Sequence, residues 1–327
     1  MELLEKLTQV YSPSGNEARV RAIIENEIKA YVDEMYTDSL GNLIARKKGV
    51  GKKLMLCAHM DEIGIIVTYI EENGFLRFAP VGGIPPYCSL FQSVEFENGT
   101  KGVIGYEEKI DLKTELNISK MYIDIGAKDA KEAEKLVSIG DSAVFCGQFI
   151  KNDKNVFSKA MDNRAGVYVL INVIKNIKAT ENDLYFVFSV QEELGLRGAR
   201  ACANAINPEM AVCIDVTDTG DTPNCNRMAV KLGEGACIKF MDSSVITHKL
   251  VNDALKLAAK TANAKVQYEV LTFGGTDAGA IHTSGIGVMT GAISIPTRYI
   301  HTPRECVNTD DLNGAISIIT EFANTKQ

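Results

Sequence analysis

The residues most able to do chemistry stand where apolar runs end. His59 and Asp61 follow Leu54-Met55-Leu56-Cys57-Ala58. Glu192 and Glu193 follow a run that closes at Val190, and Asp215 follows Val212-Cys213-Ile214. Two loops add Asp162, in Ala160-Met161-Asp162-Asn163, and His301, in Tyr299-Ile300-His301-Thr302-Pro303. Imidazole mixed with carboxylate suits zinc, cobalt or manganese. The set His59, Asp162, Glu193, Asp215 and His301 is too large for one open catalytic ion, which takes three protein ligands and a water. It suits two ions about 3.5–4 Å apart that share a carboxylate. Adjacent residues at a strand end point to different sides, so one of Glu192 and Glu193 can bind metal while the other faces substrate as a general base. Asp61 can return to the side of His59 and hold its second ring nitrogen, fixing the tautomer. Taken singly, Asp162 and Asp215 read as helix or turn caps, and the paired glutamates as a solvated turn. Their conjunction points to a metal site, because ligands of open α/β sheets bind beyond the carboxyl ends of the strands.

The elements that must position these groups are legible as periodicities. Leu3, Leu4, Leu7 and Val10 mark a first helix, broken at Ser12-Pro13-Ser14-Gly15. Asn16 is expected to cap a second helix running to about Tyr31. Strands are predicted at 34–37, 43–47 and 53–58, with Gly41-Asn42 as a turn. From about Gly64 to Asn155 short β-like runs alternate with turn signals, with one helix near Ala130–Val137, which is the texture of a small all-β barrel. An α/β rhythm follows: a helix from Asn163 to Lys178, strands at 184–190, 210–214, 266–271 and 287–294, helices at 197–205 and 247–261, and a last helix from Thr309. Strands without alternation, separated by helices, imply a buried, mostly parallel sheet flanked by helices. The expected organisation is an α/β domain of residues 1–64 and 156–327, interrupted by an inserted β domain of residues 65–155.

Composition narrows the function classes. The chain has 327 residues, 46% of them hydrophobic and 24% charged, so a packed core is expected. A net charge of −7 argues against nucleic acid and anionic membrane as partners. The eight cysteines form no C-x-x-C pair, and several lie in apolar runs, which reads as buried thiols in a reducing compartment. The acidic start Met-Glu-Leu-Leu-Glu-Lys-Leu is not expected to be a signal peptide, and no window matches a membrane span; a cytoplasmic protein is expected. Of the other histidines, His248 reads as a surface residue and His282 as a satisfied core residue. Gly274-Gly275-Thr276-Asp277 reads as a tight turn, and Arg227 as a surface arginine.

At these same residues the sequence resembles the M42 family of metallo-aminopeptidases, the glutamyl and tetrahedral aminopeptidase group. The stretches that carry the resemblance run in the family's order: Ala58-His59-Met60-Asp61-Glu62-Ile63-Gly64, Lys159-Ala160-Met161-Asp162-Asn163-Arg164, Gln191-Glu192-Glu193-Leu194-Gly195, Cys213-Ile214-Asp215-Val216, Gly274-Gly275-Thr276-Asp277-Ala278-Gly279-Ala280-Ile281-His282, and Ile295-Pro296-Thr297-Arg298-Tyr299-Ile300-His301-Thr302-Pro303. The resemblance implies two divalent ions per subunit: His59 and Asp215 on one, Glu193 and His301 on the other, and Asp162 as the bridge. It implies Glu192 as general base and Asp61 as the partner that orients His59. It further implies short peptides as substrates, a zinc-peptidase-like fold with a β domain used for dimerisation, and homo-oligomers in which dimers build a dodecamer. The long gap between His59 and Asp162 places the insertion between the first and second ligands, whereas the resembling M20-type hydrolases carry theirs later. Asp221–Arg227 departs locally from the family pattern, which bears on specificity. Two other readings are a β-glucan hydrolase using paired carboxylates, which the lack of tryptophan disfavours, and a non-catalytic metal-binding protein, which leaves Glu192 without a task.

Overall fold

The computed structural model describes residues 1–177 and 180–326. In chain order the elements are α1 (Glu2–Gln9), α2 (Ala18–Ile28), β1 (Glu34–Thr37), β2 (Leu43–Lys47), β3 (Lys53–His59), β4 (Gly64–Ile70), β5 (Leu76–Val81), α3 (Pro86–Ser89), β6 (Ser93–Phe96), β7 (Lys101–Tyr106), β8 (Met121–Asp124), α4 (Ala130–Ala133), β9 (Ser142–Phe145), β10 (Ile150–Asn152) and β11 (Asn155–Ser158). They continue as α5 (Met161–Asn176), β12 (Asp183–Ser189), α6 (Arg197–Ile206), β13 (Met210–Thr217), β14 (Ala236–Met241), α7 (Lys249–Thr261), β15 (Val266–Val270), α8 (Asp277–Ile281), β16 (Met289–Arg298), β17 (Glu305–Asn308) and α9 (Thr309–Asn324). The end expected for the fifth helix, Lys178, lies outside the described residues.

One large sheet has the order β1-β2-β12-β3-β13-β16-β17-β11-β10, with β14 and β15 branching from β16. Its centre is parallel, β12 on β3, β3 on β13 and β13 on β16. Antiparallel strands extend it on both sides, and the pairs β1–β2, β10–β11 and β16–β17 are joined by short connections. Strand β3 shows why this sheet is covered on both faces. Leu54, Leu56 and Ala58 join the core beside α5 and α9, whereas Met55 and Cys57 join a second cluster with Ala199 and Cys202 of α6. Successive side chains of a strand point to opposite faces, so an unbroken apolar run serves two helical layers. Strands β4–β9 close into a separate barrel with its own core of Ile65, Phe78, Val94, Ile104 and Ile123.

The fold departs from the sequence reading in the unexpected strands β14 and β17, in β16, which runs on to Arg298, and in further local features. Helix α2 begins at Ala18, and its first turn receives no cap from Asn16; the Ser12 hydroxyl accepts from Val20 N instead. Helix α4 stops at Ala133, short of Val137, and the chain closes in turns there. Residues 274–276 are a loop leading into α8, where Asp277 is a buried first-turn residue.

A buried ionic knot fastens the exit of β3 to its surroundings. The fully buried guanidinium of Arg164 donates to the carbonyls of Met60, Leu7 and Ser12 at 2.8, 2.5 and 3.0 Å. Glu62 faces Arg164 at 3.4 Å and Lys159 at 2.6 Å. Removing one partner of a buried pair leaves uncompensated charge, typically costing about 3–5 kcal/mol. Glu62→Gln should therefore lower the denaturation midpoint by a corresponding amount, read by circular dichroism in urea; an unchanged midpoint would show that the knot contributes nothing.

Candidate metal centre

His59 is the last residue of β3, and Asp215 lies in β13. Cys57 and Cys213 are register partners on these strands. His59 and Asp215 come two residues after them, so both leave the sheet on the same face. Glu192 and Glu193 follow β12, whose Ser189 pairs with His59. Asp162 opens α5 with non-helical dihedrals, and His301 sits in the loop between β16 and β17.

The structure brings these groups together. His59 Nε2 lies 3.0 Å from Asp162, 3.7 Å from Asp215 and 3.8 Å from Glu192. His301 Nε2 lies 3.4 Å from Asp162 and 3.3 Å from Glu193. Asp162 thus faces both imidazoles. Two triplets, His59-Asp162-Glu193 and His59-Glu192-Asp215, place their ligand atoms within 4.8 Å of one another. Asp61, fully buried, lies 3.3 Å from His59 Nδ1. It also accepts from the Ser14 hydroxyl at 2.6 Å and from the backbone N–H groups of Glu192 and Glu193 at 3.1 and 3.3 Å.

The electrostatics are those of an overcrowded anionic pocket. Burial and then repulsion from Asp162 push Glu193 up to about 8. Burial raises Glu192 well above the carboxylate range; His59 opposes this, and Asp215 and Glu193 add to it. Asp215 is raised chiefly by burial. Burial opposes the charged form of both histidines, yet the surrounding carboxylates outweigh it, lifting His301 to about 10 and His59 well above its usual value. Asp162 is held below its usual range despite burial, because both imidazoles bond to it. Two imidazoles cannot balance Asp61, Asp162, Glu192, Glu193 and Asp215. Buried Glu193 Oε1 has no hydrogen-bond partner among the described residues. Surplus acid, imidazole donors and an unpartnered carboxylate oxygen are what divalent cations would satisfy, so this donor set fits metal.

A cavity of about 580 Å³ opens onto the cluster, lined also by Gly83, Leu196, Thr217, Lys239, Leu271 and Phe273. Three of the groups near the cluster were given no role at the site by the sequence reading. Glu305 on β17 accepts from Asp162 N at 3.0 Å and from His301 N at 2.8 Å, but in Arg-Glu-Cys-Val it carries no signal. Asp277 accepts from the Ser189 hydroxyl at 2.5 Å and the Cys57 thiol at 3.4 Å; its place after Gly-Gly-Thr was the available clue. Fully buried Lys239 bonds Glu269 on the neighbouring strand, and β14 gave no pattern of its own. His282 Nδ1 meets the Ala278 carbonyl at 3.1 Å, as a satisfied histidine should. His248 caps α7, its Nδ1 accepting from Leu250 N. Arg227 lines a neighbouring cavity of about 500 Å³.

Backbone conformation is unusual around the cluster. Ala160, Gln191, Leu196, Tyr299 and His301 all have left-handed φ between 54° and 63°. Such conformations are costly for non-glycine residues and gather at functional sites.

Comparison with known proteins shows the family. Residues 41–318 match the family model described as M42 glutamyl aminopeptidase. A curated relative from Acetivibrio thermocellus is 50% identical over 320 residues, covering 98% of this chain and 97% of its own. The aminopeptidase APDkam598 from the archaeon Desulfurococcus kamchatkensis superposes with a TM-score of 0.95 at 36% identity, over 99% of this chain and 94% of that one. The TET1 peptidase of Pyrococcus horikoshii, described as assembling into a tetrahedron or a large octahedral shell, superposes at 0.88 with 35% identity over 98% of each chain. The chain belongs to the M42 glutamyl aminopeptidase family and is, by that membership, a peptide hydrolase of the aminopeptidase class.

Proposed function

We propose that the protein removes the N-terminal residue of short peptides at a centre of two divalent cations, zinc, cobalt or manganese. His59 and Asp215 would hold one ion, Glu193 and His301 the other, and Asp162 both. The position of Asp162 between the two imidazoles is the observation that carries this reading. When bound, such ions supply Lewis acidity and bring the pKa of water toward neutrality. Asp61, 3.3 Å from His59 Nδ1, would orient that ring, and it accepts from the backbone N–H groups of both glutamates. Glu192 faces the same ligands from the cavity wall. It takes a proton from the attacking water and returns it to the leaving amine. The acidic wall holds the substrate's α-ammonium, which makes the free N-terminus the point of recognition.

The inserted unit is assigned to residues 65–155 on a catalytic body of 1–64 and 156–327, with dimers assembling further into a dodecamer. The closed barrel supports this, as do its exposed aromatics Tyr87 and Phe91, 72% and 68% accessible, and the shell described for the P. horikoshii relative. The barrel's last strand is β9, and β10 with β11 already belongs to the large sheet, so the barrel itself ends ahead of the boundary at 155. Among the described residues no helix is long and apolar enough to cross a membrane. Buried Cys57, Cys202, Cys213, Cys237 and Cys306 suit the reducing cytoplasm.

Glu192→Gln should retain both ions while release of p-nitroaniline from aminoacyl p-nitroanilides falls by about 10²–10⁴; near-normal turnover in that variant would remove Glu192 from the role of base. Chelation should abolish the same activity, and added cobalt or zinc should restore it. Release of reducing sugar from β-glucan, without aminoacyl hydrolysis, would contradict the proposal. Ligation needs neutral imidazole, and, against burial, Asp162 and Glu193 lift His301 to about 10. Cobalt added at pH 7 should therefore expel protons and bind more tightly as pH rises, and uptake without proton release would contradict the ligand role of His301.

A further inference from the structure

The segment leaving β5 runs from the barrel directly into the candidate metal centre. Val81 ends the strand, and Gly82-Gly83-Ile84-Pro85-Pro86 follows. Gly83 and Pro85 line the same cavity as His59, Asp162, Glu193 and His301. A Cβ at Gly83 would lie 3.1 Å from His301 Nδ1 and 3.2 Å from its Cε1. A Cβ at Gly82 would lie 2.8 Å from Ile63 Cγ2, 3.1 Å from Glu193 Oε2 and 3.2 Å from Glu193 Cβ. Gly82 also has φ +88°, a region other residues rarely adopt.

His301 is thereby enclosed. Its backbone N–H is tied to Glu305, its Nε2 faces Asp162 and Glu193, and its opposite ring edge meets Gly83. Its side chain remains about one third exposed, so the ring is not immobilised by a packed core. We infer that Gly82-Gly83 is a positioning element of the metal centre, supplied by the barrel. The two glycines set how far the His301 ring and the Glu193 side chain can move away from the cluster, and a Cβ at either position would press on those side chains. This inference rests on the metal-centre reading and adds to it a structural duty of the barrel within the site.

The test is cobalt binding by the full chain. Gly83→Ala is compared with wild type and with Gly99→Ala and Gly126→Ala, barrel glycines of positive φ whose Cβ would meet nothing within 4 Å. Binding is followed by calorimetry and by the visible absorption of bound cobalt, which reports coordination geometry. The methyl group at position 83 should displace the ring by a few tenths of an ångström. It should weaken one of two cobalt sites by about 10–100-fold, the range seen when a ligand's support is removed, and alter the cobalt spectrum; the two control variants should match wild type. Wild-type affinity and spectrum in Gly83→Ala would overturn the inference alone. Wild-type protein that takes up no cobalt would overturn the metal-centre reading itself. Should Gly83→Ala fail to fold, recovery in the double variant Gly83→Ala/His301→Ala would show that the methyl meets the ring, and lack of recovery would count against it.

Discussion

Like charges a few ångströms apart in a buried pocket repel strongly, by about 4 kcal/mol per pair at 4 Å even with an effective dielectric constant of 20. The cluster of Asp61, Asp162, Glu192, Glu193 and Asp215 lives under that constraint, with two imidazoles as its nearest cations. Left alone, such a group relaxes by taking up protons, as the raised Glu192 and Glu193 show, or by spreading apart. The fold blocks the second route. Strands β3, β12 and β13, fixed in parallel register at the middle of the sheet, leave their carboxyl-end side chains nowhere to separate.

Two carboxylates, Asp61 of the cluster and Glu305 beside it, act as braces. Asp61 gathers the N–H groups of Glu192 and Glu193 with the ring of His59. Glu305 gathers the N–H groups of Asp162 and His301. Each brace joins loops from distant parts of the chain, so the two halves of the cluster are fixed independently and meet at Asp162. The left-handed residues Ala160, Gln191, Leu196, Tyr299 and His301 lie in the loops so fixed. Their local cost is borne by the hydrogen bonds and packing of the sheet beneath.

Much of this was written in local pattern. The doubly apolar run Leu54–Ala58 announces a strand buried on both faces, and the acids and histidine just beyond such runs announce the site. The barrel is legible from its turns. What escaped lies in long-range pairing. Strand β14 and Lys239 gain their meaning from Glu269, thirty residues away. Glu305 is one acid in a short strand until His301 and Asp162 fold against it. Asp277 follows glycines that suggest a turn, although its carboxyl is buried against Ser189 and Cys57. Asn16 is not the cap because α2 begins at Ala18 with Glu17 at the cap position, and the Ser12 hydroxyl accepts from Val20 N.

The most direct test of the account is a crystal structure of the protein soaked in cobalt or zinc, with data collected on both sides of the metal absorption edge. Two anomalous peaks per chain are predicted, about 3.5–4 Å apart, one against His59 and Asp215, the other against Glu193 and His301, with Asp162 reaching both. A single peak, peaks elsewhere on the surface, or none beside an intact cluster would contradict it.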